Sequence, residues 1–350
     1  MSSIRDVAEL AGVSLSTASI VINGKSKERK ISENTQKKVL EAMRKVNYIP
    51  NVSAKILRKG ESQKYIIALF WNFDFRGIMM NRFLFGLQKR IVDENANVNI
   101  VVHPYQTGEL AKEELSFISG EFHAAIIANA NGNDLEFLEN SIFSMPIILY
   151  NRLLEGYCSV NVDDRKIGIM AANHLYEEGY RCPAVIHGTK NFPGATHREE
   201  AFFGRMQELG VKLPKKKTIL AENSIKGGFI CGELLIKKDI KQLPDSFFCS
   251  SDAIALGMLN ALAGKDLIPK RFGIIAIGNS DPQFSIYSYP SLTAINIPIE
   301  KMAAECYSFL QDNMYNSKVI KESHYLEPDL YIRESTNKNN KERRGCRTND

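Results

Sequence analysis

Between Gly12 and Gly24 the chain places Ser14, Leu15, Ser16, Thr17, Ser19, Ile20 and Asn23 in and around one short helical stretch. At 3.6-residue spacing Ala18, Val21 and Ile22 turn toward a small core. Leu15, Ser16, Ser19, Ile20 and Asn23 then fall on the other side. Two apolar side chains on that side either broaden the core contact or touch something apolar outside it. Thymine methyl groups in a DNA major groove are such a partner, and the Ser16 hydroxyl suits a base edge. Thr17, Ser19 and Asn23, with the N–H groups at helix starts, suit phosphate oxygens.

A second set of candidates closes apolar runs further on. Trp71, Phe73, Asp74 and Arg76 follow the first run, Asn129 and Asn131 the third, and Asn151 and Arg152 the fourth. Aromatic faces beside Asn, Asp and Arg suit a polyol such as a sugar, with rings stacked and hydroxyls paired. Enzyme signatures are missing: there is no G-x-G-x-x-G after a strand, no P-loop, no H-E-x-x-H and no G-x-S-x-G. Six histidines (103, 123, 174, 187, 197, 324) show no metal-ligand spacing. His187 and His197 could act as general bases, but as ligand hydrogen-bonders or structural residues they need no enzyme. The reading is therefore of a non-enzyme without cofactor or metal. A cytoplasmic sugar sensor or an enzyme built on the same core class is the alternative. Six cysteines without a C-x-x-C pair point to a reducing, cytoplasmic setting.

Three helices must position the first set. Ser3 with Asp6 makes a capping-box start for the first helix. Gly12-Val13-Ser14 turns the chain, and Ser14 caps a second helix over Leu15–Ile22. Ser32 caps a third, with Val39, Leu40, Met43 and Val46 on one face and Pro50 beyond its end. Val7, Ala8, Val13, Ala18, Val21 and Leu40 form the expected core. Residues 1–50 thus read as a small all-α helix-turn-helix head, and 51–64 as a basic linker with a brief helical pattern.

From Tyr65 the pattern becomes apolar runs alternating with amphipathic helices. Expected strands are Tyr65–Trp71, Val98–His103, Ala124–Ala130, Ile147–Tyr150, Ala184–His187, Thr218–Ala221, Phe247–Ser250, Ile274–Ile277 and Ala294–Ile297. Helices fall between, for example Phe83–Glu94, Ile167–Glu178, Glu200–Leu209 and Ala253–Ala263. That alternation predicts an α/β core at 65–336, made of two doubly wound parallel-sheet lobes. The tail 337–350 is polar and is expected to be disordered.

Charge divides along the same boundaries. The 350 residues carry a net +5, yet residues 1–64 hold 13 Lys/Arg against 6 Asp/Glu and the tail 5 against 2, leaving the body acidic. A basic head on an acidic body is the footprint of nucleic-acid binding, or more plainly of a solvated basic face. No run approaches the roughly 18 apolar residues of a membrane span, so no membrane partner is expected.

These residues also carry a resemblance. Ile4-Arg-Asp-Val-Ala-Glu-Leu-Ala-Gly-Val-Ser14, Ser16-Thr17 and Val21-Ile22-Asn23-Gly24 resemble the opening of the lactose-repressor (LacI/GalR) family. Asn47-Tyr48-Ile49-Pro50-Asn51 and Ala54-Lys55-Ile56-Leu57-Arg58 resemble its third-helix end and hinge. The likeness continues through Val162-Asp163-Asp164, Asn173-His174-Leu175, Ser251-Asp252, Ala255-Leu256-Gly257, Pro290-Ser-Leu-Thr-Ala-Ile and Pro298-Ile299.

The resemblance implies a transcriptional regulator, by default a repressor. It implies a homodimer on double-stranded, pseudo-palindromic operator DNA, controlled by a small-molecule effector. It implies a periplasmic-binding-protein-like core with ligand between its lobes. It also implies a hinge helix at 51–59 in the minor groove with Leu57 as wedge. Ser3, Ser14, Tyr48, Asn51, Ser53, Ala54, Lys55 and Arg58 then join the DNA contacts, and the leucine wedge suits minor-groove kinking independently. The alternative is that Ile56 and Leu57 cap the core.

Arg198, just before the Glu200–Leu209 helix, matches an effector-contacting arginine, and Ser251 and Asp252 match a strand-end Asn-Asp pair. Two departures stand out. Ile20 occupies a position where the family commonly carries Arg or His, which points to an A·T-leaning contact. Gly278-Asn279-Ser280-Asp281 puts no acid at the family's usual place unless Asp281 substitutes, with Ser280 beside it.

Overall fold

The computed structural model describes residues 3–22, 26, 28–46, 48, 64–72, 77–118, 121–141, 143, 145–189, 193–213, 217–315 and 322–338. At its start, α1 (Ile4–Ala11), α2 (Leu15–Ile22) and α3 (Glu33–Lys45) share a core of their own. Ser3 caps α1 reciprocally: its N–H donates to Asp6 Oδ2 at 2.7 Å, and Asp6 N–H donates to Ser3 Oγ at 3.4 Å. Gly12 ends the helix at φ +63°, a left-handed conformation that costs a glycine no Cβ strain. Val7, Ala8, Ala18, Val21, Ile22, Val39, Ala42 and Met43 are buried, with Val13, Leu40, Val46 and Tyr48 packed partly against them.

The chain continues through β1 (Tyr65–Asn72), α4 (Gly77–Asp93), β2 (Val98–Tyr105), α5 (Glu114–Ile118), β3 (Ala124–Ala128), α6 (Gly132–Glu139), β4 (Ile147–Tyr150) and β5 (Cys158–Val162). Next come α7 (Asp164–Glu177), β6 (Pro183–Gly188), α8 (Pro193–Glu208), β7 (Thr218–Ala221), α9 (Ile225–Ile236), β8 (Ser246–Cys249) and α10 (Asp252–Leu262). The described chain closes with β9 (Gly273–Gly278), α11 (Pro282–Ile286), β10 (Thr293–Asn296), α12 (Ile299–Tyr315), β11 (Ser323–Leu326) and β12 (Asp329–Tyr331). Two compact units divide it: unit 1 is Met1–Asn161 with Ile299–Tyr325, and unit 2 is Val162–Pro298 with Leu326–Asp350.

Each unit holds one sheet. The orders are β11-β5-β4-β3-β1-β2 and β12-β10-β9-β8-β6-β7. β1 pairs in parallel with β2 and β3, as β6 does with β7 and β8, whereas β12 runs antiparallel to β10. Both sheets are therefore doubly wound. Strand order reverses between β1 and β3 in unit 1, and between β6 and β8 in unit 2. Such reversals open a crevice at the carboxyl ends of the strands.

The inner strands β3, β4, β5, β8 and β9 are buried throughout, as parallel strands under helices on both faces must be. Phe70 stacks on Phe117 at 4.4 Å in unit 1, and Phe247 meets Phe272 at 5.7 Å in unit 2. α9 and α10 approach backbone to backbone: a Cβ on Gly228 would overlap Ile254, and one on Gly257 would overlap Ile225 and Phe229. Among the described residues no helix is long and apolar enough to cross a membrane.

All nine expected strands are present, with β4 and β7 at the expected bounds. β5, β11 and β12 were not foreseen. Cys158-Ser-Val-Asn-Val162 lacks an apolar run, and β11 and β12 are mostly exposed strands at sheet edges. Two helices need correction: α4 starts at Gly77, not at the expected Phe83, and α8 is the second. α8 starts at Pro193, not Glu200, because proline's fixed φ suits a first helical turn. Arg198 therefore lies inside the helix.

Candidate functional site

In the head, the polar candidates are held by local bonds. Ser14 Oγ accepts the Thr17 N–H at 3.0 Å and shares a hydrogen bond with Thr17 Oγ1 at 2.8 Å, which fixes the start of α2. Leu15 is 44% exposed, Ser14 and Ser16 are exposed, and Thr17, Ser19 and Ile20 are half-buried. Ala18, Val21 and Ile22 face inward. No residue of α2 carries a charge. Its outer surface can therefore read by shape, methyl contact and hydroxyl, but not by an ionic fork.

Tyr48 packs partly against the head's core, and burial raises its phenol above the ordinary range. The Ser3 hydroxyl and backbone N–H serve Asp6, and this capping lowers the Asp6 carboxyl below its ordinary value. Asn23, Asn51, Ser53, Ala54, Lys55, Leu57 and Arg58 lie outside the described residues.

In unit 1 the register puts Trp71, Ala128 and Tyr150 in one row across β1, β3 and β4. Trp71 is 2% exposed, with its ring centroid 5.4 Å from Phe83 and 5.9 Å from Tyr150. The expectation of an open ring face for sugar stacking is corrected: neighbouring aromatics cover it, and what remains is the indole N–H. Neither Trp71 Nε1 nor the Tyr150 hydroxyl has a hydrogen-bond partner among the described residues. Burial pushes the Tyr150 phenol far up, so it stays neutral.

Asn129 follows β3 at φ +58°. Its carbonyl accepts from Asn72 Nδ2 at 3.0 Å, while its own Nδ2 is buried without a partner. Asn151 is also left-handed, at φ +56°. Arg152 donates to the carbonyls of Ala130 and Asn151, both at 2.5 Å, so it ties two strand ends together. Asn131 caps α6, accepting from Asp134 N–H at 3.2 Å. Phe73, Asp74 and Arg76 lie outside the described residues.

In unit 2 the candidates at the strand ends are mostly engaged with one another. Ser251 caps α10 and donates to Asn223 Oδ1 at 2.5 Å. Asp252 accepts from the Ser280 N–H at 2.7 Å, the Ser280 hydroxyl at 2.8 Å and the Ala253 N–H at 2.9 Å. Burial raises its pKa despite those donors. Asp281 caps α11 through Gln283 N–H at 2.9 Å. Arg198, on α8, pairs with Asp164 Oδ1 at 2.6–2.7 Å. His187 Nε2 lies 2.5 Å from Glu199, whose other oxygen accepts from Thr218. His187 Nδ1 and Asn279 Oδ1 are buried and unpartnered, and His197 is exposed.

Five buried side-chain atoms thus lack partners among the described residues: Trp71 Nε1, Asn129 Nδ2, Tyr150 Oη, His187 Nδ1 and Asn279 Oδ1. All five residues stand at carboxyl ends of strands, on β1, β3, β4, β6 and β9, where doubly wound sheets take ligands. Tyr150 and Asn279 were not among the site residues expected from sequence. The available signal was a polar residue closing a fully apolar strand, as Tyr150 does after Ile147-Ile148-Leu149.

A helix-turn-helix head on a chain with two doubly wound ligand-type sheets defines the class: a DNA-binding transcription regulator. Residues 3–51 match the model for bacterial regulatory proteins of the lacI family, and residues 172–336 match the periplasmic binding protein-like domain. A LacI family transcription regulator from Clostridium acetobutylicum is 36% identical, with a TM-score of 0.73 over 77% of this chain and 100% of that one. The chain belongs to the LacI family.

The probable HTH-type transcriptional repressor ExuR of Bacillus subtilis (strain 168) is 26% identical over 87% of this chain and 89% of its own length. Two further structures, each 20% identical and covering 96% of this chain, share the fold. They are a transcriptional regulator CelR–cellobiose complex (TM-score 0.65, 100% of that chain) and a lac repressor dimer bound to operator and the anti-inducer ONPF (TM-score 0.66, 99% of that chain).

Proposed function

We propose that this chain is a cytoplasmic repressor that binds a pseudo-palindromic operator as a homodimer and is controlled allosterically by a sugar. The observation that carries the reading is the outer face of α2. Leu15 and Ser16 stand exposed, with Ile20 and Ser19 beside them, on an uncharged helix held by a Ser14 cap. That face suits thymine methyls and one hydroxyl-read base edge per half-site. Thr17, Tyr48 and the basic 51–59 segment supply phosphate contacts, and Leu57 supplies the minor-groove wedge.

A second copy has apolar surface to meet. Ile78, Phe85 and Val92 are exposed at seven-residue spacing along α4. On α9, Ile225, Phe229, Ile230 and Leu234 are exposed, whereas Gly228 and Gly232 face α10. The solved relative on operator DNA is itself a dimer. The sugar is supported by the unpartnered strand-end atoms and by the cellobiose complex of a relative. Coupling requires only that the sugar bind one conformation better than the other.

The test is selection of duplexes from a random pool by the full chain and by its Ile20→Arg variant. The wild type should enrich a pseudo-palindrome with A·T pairs opposite Ile20, and the variant should move that position to G·C. An unchanged sequence would remove the Ile20 contact; no enriched sequence would remove operator reading.

A further inference from the structure

We propose that the carboxyl edge of the unit 1 sheet reads the carboxylate of an acidic sugar through the Trp71 indole N–H, the Asn129 amide and the Tyr150 hydroxyl. This rests on the sugar-sensing reading above and narrows it to sugar acids. An indole N–H and an amide nitrogen only donate, and a neutral phenol can donate. Trp71 and Asn129 are each 2% exposed and Tyr150 is fully buried, yet none of these three groups has a partner among the described residues. Each such group left unpaired keeps the full cost of its lost hydration. Three on adjacent strands, beside the β1/β3 reversal, mark a place built for an acceptor.

The kind of acceptor follows from hydrogen count and charge. A sugar hydroxyl brings a hydrogen that needs an acceptor of its own, whereas a carboxylate brings lone pairs only. Two acidic side chains of this unit, Glu300 and Asp134, are already engaged. Glu300 is held by Arg82 through two bonds of 2.6 and 2.7 Å, and Asp134 takes the N–H groups of Gly108, Leu110 and Asn131 at 3.0–3.1 Å. Among the described residues, the ionised side chains acting on the Tyr150 hydroxyl are Arg82 and Arg152 against Glu300, a positive balance. An anion is favoured there over a neutral group.

Trp71 is the chain's single tryptophan, so tryptophan emission, excited selectively over tyrosine, reports on this edge alone. The experiment titrates the full chain with D-galacturonate, D-glucuronate, D-galactose and D-glucose, following Trp71 emission and calorimetric heat together. At least one uronate should shift the emission and bind about tenfold or more tighter than its neutral counterpart. Trp71→Phe keeps a ring and loses the N–H; Tyr150→Phe loses only the hydroxyl. Each should weaken uronate binding by calorimetry while retaining the wild-type circular dichroism spectrum.

A neutral sugar that binds as tightly as its uronate overturns the acid reading and leaves sugar sensing standing. Sugar binding that leaves Trp71 emission unchanged overturns the placement. Silence toward all four overturns the proposal, because the unpaired groups are then met by water alone. Operator binding by the same preparation separates either failure from a failure of the regulator reading.

Discussion

The head and the sheet edges solve opposite problems with opposite surfaces. In the head, hydroxyls and carboxylates are bonded locally, Ser3 with Asp6 and Ser14 with Thr17, and what faces outward on α2 includes the carbon of Leu15. At the strand ends, one polar atom each of Trp71, Asn129, Tyr150, His187 and Asn279 is buried without a partner among the described residues. A long polyanion brings its own charge and needs a shaped, positioned surface. A small molecule must supply hydrogen bonds that the protein has withheld from itself. The same truncation should therefore read differently in the two regions.

The largest effect belongs to the sheet edge. Trp71→Ala should destabilise the protein by about 3–5 kcal/mol in urea unfolding, the cost of emptying a packed aromatic site. Leu15→Ala, at 44% exposure, should leave the unfolding curve within about 0.5 kcal/mol and weaken operator binding instead. Equal destabilisation by both would erase the contrast.

Next comes pH. Burial lowers His174 to about 4 from its ordinary 6.5. As pH falls, the unfolded chain takes up this proton before the folded one does. Stability is thus complete above pH 6.5 and falls by roughly 3 kcal/mol as pH drops toward 4. His174 belongs to unit 2, bonded to Thr336 at 2.7 Å, and the first 64 residues contain no histidine. Hydrogen exchange between pH 7 and 5 should show unit 2 loosening before the head does; identical protection at both pH values would contradict this.

Two smaller effects return to DNA. Leu57→Ala should lower operator affinity about tenfold without moving the thermal midpoint, and unchanged affinity would remove the wedge. Ser14→Ala should cost about 1 kcal/mol of head stability through the lost cap, read as a lower midpoint for the head alone.

Periodicity and caps made much of this legible in the sequence. α2 runs over Leu15–Ile22 as its Ser14 cap and Asn23-Gly24 boundary require, and apolar runs located the buried strands β3, β4, β8 and β9 because parallel strands under two helical layers leave no alternation to misread; β5, equally buried but with Ser159 and Asn161 in it, escaped. Pairings set by tertiary packing were not legible. His187 meets Glu199 only because β6 lies against α8, and Ser280 reaches Asp252 only because β8 and β9 are neighbours. Ser251, Asp252, Ser280 and Asp281 were named as ligand contacts from the family resemblance. Their hydrogen bonds go largely to caps and to one another, while Tyr150, hidden inside an apolar word, keeps its hydroxyl unpaired.

The most direct test compares the full chain's affinity for its selected duplex with that for the same duplex with both half-sites scrambled, at one salt concentration. A sequence-reading repressor should prefer the intact site by about a thousandfold or more. Equal affinity for the two would mean that the basic head binds DNA by charge alone, and operator recognition by α2 would fall.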